Sequence, residues 1–201
     1  MNRNLIAILR GVTADEIDDI VEILLAEGIT KIEVPLNSPD PFKTIEKMLS
    51  KYKGQGVFGA GTVLNVEQVT ALAELGADLI VSPNCNPKVI AATKAAGMLS
   101  YPGVMTPSEC FMALEAGADG LKFFPGDLVG PVGLNAMRAI LPKQVDCYAV
   151  GGANASNFGQ WVKAGATGFG IGSALYKIGD TPQIVQQKAK AIVTAFDLAV
   201  K

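Results

Sequence analysis

The residues of this chain that could do chemistry reduce quickly to a lysine and a glutamate, because its 201 positions contain no histidine. Without histidine there is no Ser-His-Asp or Cys-His arrangement and no histidine-ligated metal site. Proton transfer near neutral pH then falls to a perturbed Glu, Asp, Lys, Cys or Tyr. Lys122 stands in Gly120-Leu121-Lys122-Phe123-Phe124-Pro125, a strand-like run. Alternation along a strand puts Gly120, Lys122 and Phe124 on one face and Leu121 and Phe123 on the other. A lysine turned inward there is partly desolvated, its pKa falls, and the neutral amine can attack a ketone to form an imine. The same placement suits a structural ion pair with a carboxylate. Glu33, in Ile29-Thr30-Lys31-Ile32-Glu33-Val34-Pro35, shares a face with Lys31. A semi-buried carboxylate can have a raised pKa and shuttle a proton; a salt bridge to Arg10 or Lys122 is the alternative, and the two roles can coexist. Lys31, deeper on that face, reads as a cap or ion pair at the bottom of the structure.

A third component is anionic recognition. Val150-Gly151-Gly152 follows one strand-like run, and Gly168-Phe169-Gly170-Ile171-Gly172-Ser173 spans the next and its exit. Free backbone N–H groups at such loops, with a helical turn starting near Ser173, make an anion nest suited to phosphate; small residues that merely relieve crowding are the other reading. Arg10 could bind a carboxylate in bidentate fashion, either that of Glu33 or that of an acidic substrate. Thr62 offers a hydroxyl or a helix cap. Pro83 and Phe124 could form an apolar wall around a small methyl group, or serve only loop geometry and packing.

These residues need a scaffold that brings strand ends together. Gly76, Gly97 and Gly117, at steps of 21 and 20 residues, each close a helix-like segment before an apolar strand, as do Gly28 and Gly165. That is the αβ half of a repeating βαβ unit. Periodicity predicts helices over 13–27, 41–52, 65–75, 86–96, 106–116, 131–140, 154–164 and 182–199. Strand-like runs fall at 5–9, 29–34, 56–60, 78–82, 98–101, 119–124, 145–150 and 167–171. Thr13 with Glu16 and Asn65 with Gln68 fit capping boxes, and Asp40, Asn86, Thr106 and Thr181 each stand before a first-turn proline. Eight strands alternating with eight helices predict an α/β fold, a (β/α)8 TIM barrel, as a single domain over 1–201 with short loops compared with the usual ~250 residues. An open doubly wound sheet is the alternative, with two edges to protect. In a barrel the site lies at the C-terminal ends of the strands, where Arg10, Glu33, Thr62, Pro83, Lys122, Phe124, Gly151, Gly152, Gly172 and Ser173 fall.

Composition narrows the partners. The net charge is −2 from 17 basic and 19 acidic residues, so no basic field favours nucleic acid. No apolar run approaches the roughly 20 residues of a membrane span. The start, Met1-Asn2-Arg3-Asn4 before Leu5–Leu9, is too short for a secretory signal, and the cytoplasm is the expected compartment. Cys85, Cys110 and Cys147 are too far apart for a redox pair or thiolate metal site and read as reduced thiols.

Seven segments together resemble one enzyme family over nearly the whole length. They are Ile8-Leu9-Arg10-Gly11, Glu33-Val34-Pro35-Leu36, Gly59-Ala60-Gly61-Thr62-Val63, Ser82-Pro83, Leu121-Lys122-Phe123-Phe124-Pro125, Gly151-Gly152 and Gly172-Ser173. The family is that of the 2-keto-3-deoxy-6-phosphogluconate and 2-keto-3-deoxy-6-phosphogalactonate aldolases. The resemblance implies imine formation at Lys122, acid/base work at Glu33, carboxylate and polar contacts near Arg10 and Thr62, and phosphate at Gly151, Gly152, Gly172 and Ser173. It further implies a phosphorylated keto-deoxy sugar acid as substrate, pyruvate and glyceraldehyde 3-phosphate as products, no metal or cofactor, and a homotrimer. Pro35-Leu36-Asn37-Ser38-Pro39, Val81 and Val150 look like the galactonate branch. A sugar-phosphate isomerase or epimerase, and a silent sugar-phosphate binding protein, are the competing functions; release of pyruvate separates them from an aldolase.

Overall fold

The computed structural model describes residues 3–201; Met1 and Asn2, at the start of the stretch read for a leader, lie outside the described residues. The elements run β1 (Leu5–Ile8), α1 (Ile17–Ala26), β2 (Lys31–Pro35), α2 (Pro41–Tyr52), β3 (Val57–Gly61), α3 (Val66–Glu74), β4 (Leu79–Val81), α4 (Pro87–Ala95), β5 (Leu99–Tyr101) and β6 (Gly103–Val104). They continue with α5 (Pro107–Glu115), β7 (Gly120–Phe123), α6 (Gly126–Arg138), β8 (Asp146–Val150), α7 (Phe158–Lys163), β9 (Gly168–Ile171) and α8 (Pro182–Ala199). All strand pairs are parallel, in the order β5-β4-β3-β2-β1-β9-β8-β7-β6.

The two ends of that order, β5 and β6, are one stretch of chain divided only by Pro102, which has no N–H for the ladder. The Ser82 amide donates to the Tyr101 carbonyl at 3.1 Å on one side, and the Lys122 amide donates to the Pro102 carbonyl at 2.9 Å on the other. The fifth stave therefore runs past residue 101 to Val104 and closes a (β/α)8 barrel of eight staves with eight flanking helices. The open sheet does not form.

Alternation divides the strands between two apolar layers. Outward residues such as Leu5, Ile32, Phe58, Leu121, Phe123 and Phe169 pack against the helices. Ile6, Ile8, Leu79, Val81, Tyr101, Tyr148 and Val150 fill the inside. Phe58, Phe123 and Phe169 are wholly buried, each contributing about 1.5–3 kcal/mol of hydrophobic stabilisation. Inside, the rings of Tyr101 and Tyr148 meet edge to face, with centroids 5.1 Å apart. Gly120 and Gly168 face those rings so closely that a Cβ at either would press on them. Lys31 caps the bottom of the barrel, its Nζ 3.1 Å from both Asn4 Oδ1 and the Tyr148 hydroxyl. Burial lowers its pKa.

The repeating glycines do what their spacing suggested. Gly28, Gly76, Gly97, Gly117 and Gly165 all have φ between +76° and +101°, and the residue after each donates back five positions, as Ile29 does to the Leu24 carbonyl at 2.8 Å. This is the Schellman closure that ends a helix and starts the next strand.

Several starts differ from expectation. Thr106 and Glu109 complete a capping box, and Asn65, Asn86 and Thr181 accept amides of their helices. Asp40 makes no cap, because its backbone is left-handed, at φ +39°. Glu16 Oε2 accepts from both the Thr13 amide and hydroxyl, at 3.1 and 2.6 Å, and the Glu16 amide donates to the Thr13 carbonyl at 3.2 Å, a turn rather than a cap, so the helix becomes regular only at Ile17. α6 begins five residues before 131, but Gly130, at φ +63°, breaks it just before Pro131. α7 starts only at Phe158, since 154–157 form a side-chain-bonded turn.

Candidate active site

Lys122 lies on β7 with Gly103 and Tyr148 as its lateral neighbours in register. The backbone alternation turns it inward, where only 6% of its surface is exposed. Its Nζ stands 4.7 Å from the centre of the Phe124 ring. Among the described residues no carboxylate comes within ion-pair distance of it, so a direct structural ion pair does not form. Burial pulls the amine's pKa below its usual value; the Glu33 charge opposes that shift and Arg10 adds to it.

Glu33 sits on β2 between Ile8 of β1 and Gly59 of β3. It is 2% exposed, and among the described residues its Oε2 has no hydrogen-bond partner. A buried acceptor without a partner costs about 1–3 kcal/mol, and a part in chemistry is one reason for a fold to keep it there. Burial pushes this carboxyl up to about 7 against the opposing pull of Lys122 and Arg10. Gly61 makes the placement feasible, because a Cβ there would overlap the carboxyl group.

Arg10 does not bond Glu33. It is exposed, and its Nη1 donates to Asn37 Oδ1. The next amide, that of Gly11, donates to the buried Ser38 hydroxyl at 2.9 Å. Asn37 and Ser38 thus lock the loop after β2 onto the loop after β1. Thr62 is half-buried with φ +56°, an outlier for a β-branched residue and a form of strain that gathers at functional sites. Pro83 is half-buried, and its carbonyl lies against Gly103, where any Cβ would overlap it.

A cavity of about 690 Å³ opens at this end of the barrel. Of the residues singled out from sequence, Arg10, Lys122, Phe124, Val150, Gly151, Gly152, Gly172 and Ser173 line it; Glu33, Thr62, Pro83 and Val81 lie outside the lining. Val150 covers Gly170, whose Cβ would press on the valine methyls. Gly151 and Gly152 have φ of +96° and +72°. Leu175 and Tyr176 donate to the Gly172 carbonyl at 2.8 and 3.0 Å, a single helical turn that starts beside Ser173. Among the described residues the amides of Gly152, Ala153, Ser173 and Ala174 donate to no backbone carbonyl. They are available to an anion.

Of the other wall residues, Ile8 and Gly170 stand in segments marked in the sequence without a separate role, while Ala153, Asn154 and the Ala174, Tyr176, Lys177 and Ile178 side of the last loop were missed. The rule that barrel loops after the seventh and eighth staves surround the site could have found the loop residues. Gly61 and Asn37 stand inside segments that carry the resemblance, but sequence reasoning assigned neither a role, since one acts by lacking a side chain and the other through Arg10.

The geometry therefore joins a buried amine, a high-pKa carboxyl, a guanidinium and a patch of free amides. The model of the family "Aldolase: KDPG and KHG aldolase" matches residues 1–193. A probable 2-dehydro-3-deoxy-6-phosphogalactonate aldolase of Rhizobium meliloti (strain 1021) is 47% identical over 197 residues, covering 98% of this chain and 93% of the relative. The 2-dehydro-3-deoxy-6-phosphogalactonate aldolase of Escherichia coli (strain K12) is 44% identical over 197 residues, 98% of this chain and 96% of its own. A solved native KDPGal structure superposes with a TM-score of 0.98 at 43% identity, covering all of this chain and 97% of that one. By sequence, by fold and by the length over which both match, the chain belongs to the KDPG and KHG aldolase family.

Proposed function

We propose that this chain cleaves 2-dehydro-3-deoxy-6-phospho-D-galactonate to pyruvate and D-glyceraldehyde 3-phosphate through an imine on Lys122. The observation that carries the reading is the buried Lys122 amine, paired with no carboxylate among the described residues yet within the electrostatic reach of Glu33. Burial favours the neutral amine, which attacks the C2 ketone; loss of water gives a protonated imine. Glu33, at about 7, is part carboxylate at neutral pH and takes the C4 hydroxyl proton directly or through water. The C3–C4 electron pair moves into the imine, the bond breaks and the aldehyde leaves. Protonation of the enamine at C3 and hydrolysis release pyruvate and restore the amine. The sequence of steps needs no metal or organic cofactor.

Arg10 takes the substrate carboxylate in this scheme, with Thr62 supplying a hydroxyl. Phe124 shapes the apolar wall near the pyruvyl carbon, with Pro83 set against Gly103 rather than in the cavity lining, while the free amides around Gly151, Gly152, Gly172 and Ser173 take the phosphate. Val150 sets the preference for the galactonate-derived epimer by offering a methyl where a hydroxyl could bond a substrate hydroxyl. The chain works as a homotrimer in the cytoplasm; exposed Phe111, Met112, Leu128 and Val132 on α5 and α6 offer apolar surface for assembly. No helix among the described residues is long and apolar enough to cross a membrane.

The test is pyruvate release from each purified C4 epimer, followed as initial kcat/KM. The reading expects the galactonate-derived substrate to be preferred. Binding of both without carbon–carbon cleavage would reject an aldolase, and a strong preference for the gluconate epimer would reject the substrate.

A further inference from the structure

The loop between β8 and α7 holds a side-chain network that the steps above leave unused. The Gly152 carbonyl accepts two side-chain amides, from Asn154 Nδ2 and Asn157 Nδ2, each at 2.9 Å. Asn157 Oδ1 in turn accepts from the Asn154 backbone amide at 2.9 Å. Asn154 Oδ1 accepts from the Ser156 amide at 3.0 Å and its hydroxyl at 2.6 Å. Two donors converging on one carbonyl fix the direction of that peptide plane.

The plane needs fixing. Gly151 and Gly152 carry φ of +96° and +72°, and two successive glycines leave the backbone free to swing or flip. A trans peptide holds its N–H opposite its C=O, so pinning the Gly152 carbonyl also aims the Ala153 N–H. Ala153 lines the cavity and is itself buried. Its amide donates to no backbone carbonyl among the described residues. A flipped plane would offer the cavity a carbonyl oxygen and repel an anion.

We infer that Asn157, assisted by Asn154, is the positioning residue of the anion seat: it holds the Gly152 carbonyl so that the Ala153 N–H donates to the substrate phosphate. This rests on the proposed aldolase reading and identifies what keeps its phosphate subsite in order. A donor held in place before binding needs no ordering at the moment of binding. The side-chain bonds of both asparagines run to their own loop and not to Lys122 or Glu33, so their removal should act on affinity for the phosphate end and leave imine chemistry in place.

The experiment compares the wild type with Asn157→Ala and Asn157→Asp. For the phosphorylated keto acid, Asn157→Ala should raise KM about tenfold, the scale of one anion-directed hydrogen bond, with kcat within about threefold. Asn157→Asp, which loses the donor and adds a negative charge, should raise it further. Inorganic phosphate, titrated calorimetrically, should bind more weakly by a similar factor, and pyruvate should still be reduced onto Lys122 by borohydride. Asn154→Ala leaves one donor on the carbonyl, so its KM should rise only about threefold; it carries the test if the Asn157 variants fail to fold. Unchanged KM and phosphate affinity would overturn the inference, as would loss of pyruvate trapping in step with phosphate affinity. If the wild type itself forms no pyruvate adduct, the aldolase reading falls, while the phosphate titration still decides the role of Asn157.

Discussion

Burial acts in opposite directions on the two central groups, raising the Glu33 pKa and lowering that of Lys122, and in both cases it favours the neutral form. For Glu33 the sign has consequences for stability. A carboxyl at about 7 in the folded protein and 4.5 in the unfolded chain holds its proton longer when folded. Its favourable contribution is complete below 4.5 and is lost as pH rises through about 7, amounting to about 3 kcal/mol. Glu33→Gln should therefore be more stable than the wild type at pH 8 and show little difference at pH 4; equal denaturant midpoints at both pH values would contradict the burial argument. The same change should lower kcat by about 10²–10⁴ and remove the rise in rate as pH passes about 7. At the cavity wall, Val150→Thr should shift the kcat/KM ratio of the two epimers toward the gluconate form by about tenfold, one hydrogen bond's worth. An unchanged ratio would remove Val150 from the selectivity account.

At the scale of elements, the strand exits place these groups, and strain is confined to a few of them. Thr62 holds a left-handed backbone at a cost of about 1–3 kcal/mol. Thr62→Gly should raise the unfolding free energy by about 1 kcal/mol while lowering kcat/KM through loss of the hydroxyl. A variant that is less stable would show that the hydroxyl, not the backbone, dominates at this position. How much was legible in the sequence follows from whether a signal was local. Helix closure at Gly28, Gly76, Gly97, Gly117 and Gly165 depends on one residue's φ, and period-2 alternation turned Lys122 and Glu33 inward without any tertiary information. Asp40 failed as a cap because its own backbone left the conformation a cap requires. The extension of the fifth stave across Pro102 was hidden because a proline reads as a strand's end unless two different neighbours bond on either side of it. Gly61 and Asn157 were beyond reach for the same reason. Their meaning lies in what they meet, a carboxyl from β2 in one case and a glycine carbonyl in the other.

For the whole molecule, the closed barrel gathers residues from β1, β2 and β7 and from the loops after β8 and β9 at one end. A homotrimer of the 20.9 kDa chain is the expected assembly in light scattering at micromolar concentration, and a stable, fully active monomer would remove assembly from the account. Every step of the proposed reaction passes through one covalent bond, so the decisive measurement is borohydride reduction in the presence of pyruvate, followed by peptide mass analysis. Inactivation with a single reduced pyruvyl adduct on Lys122, absent from Lys122→Ala, is the predicted result. Turnover of the phosphorylated keto acid with no adduct, or with the adduct on another lysine, would contradict it.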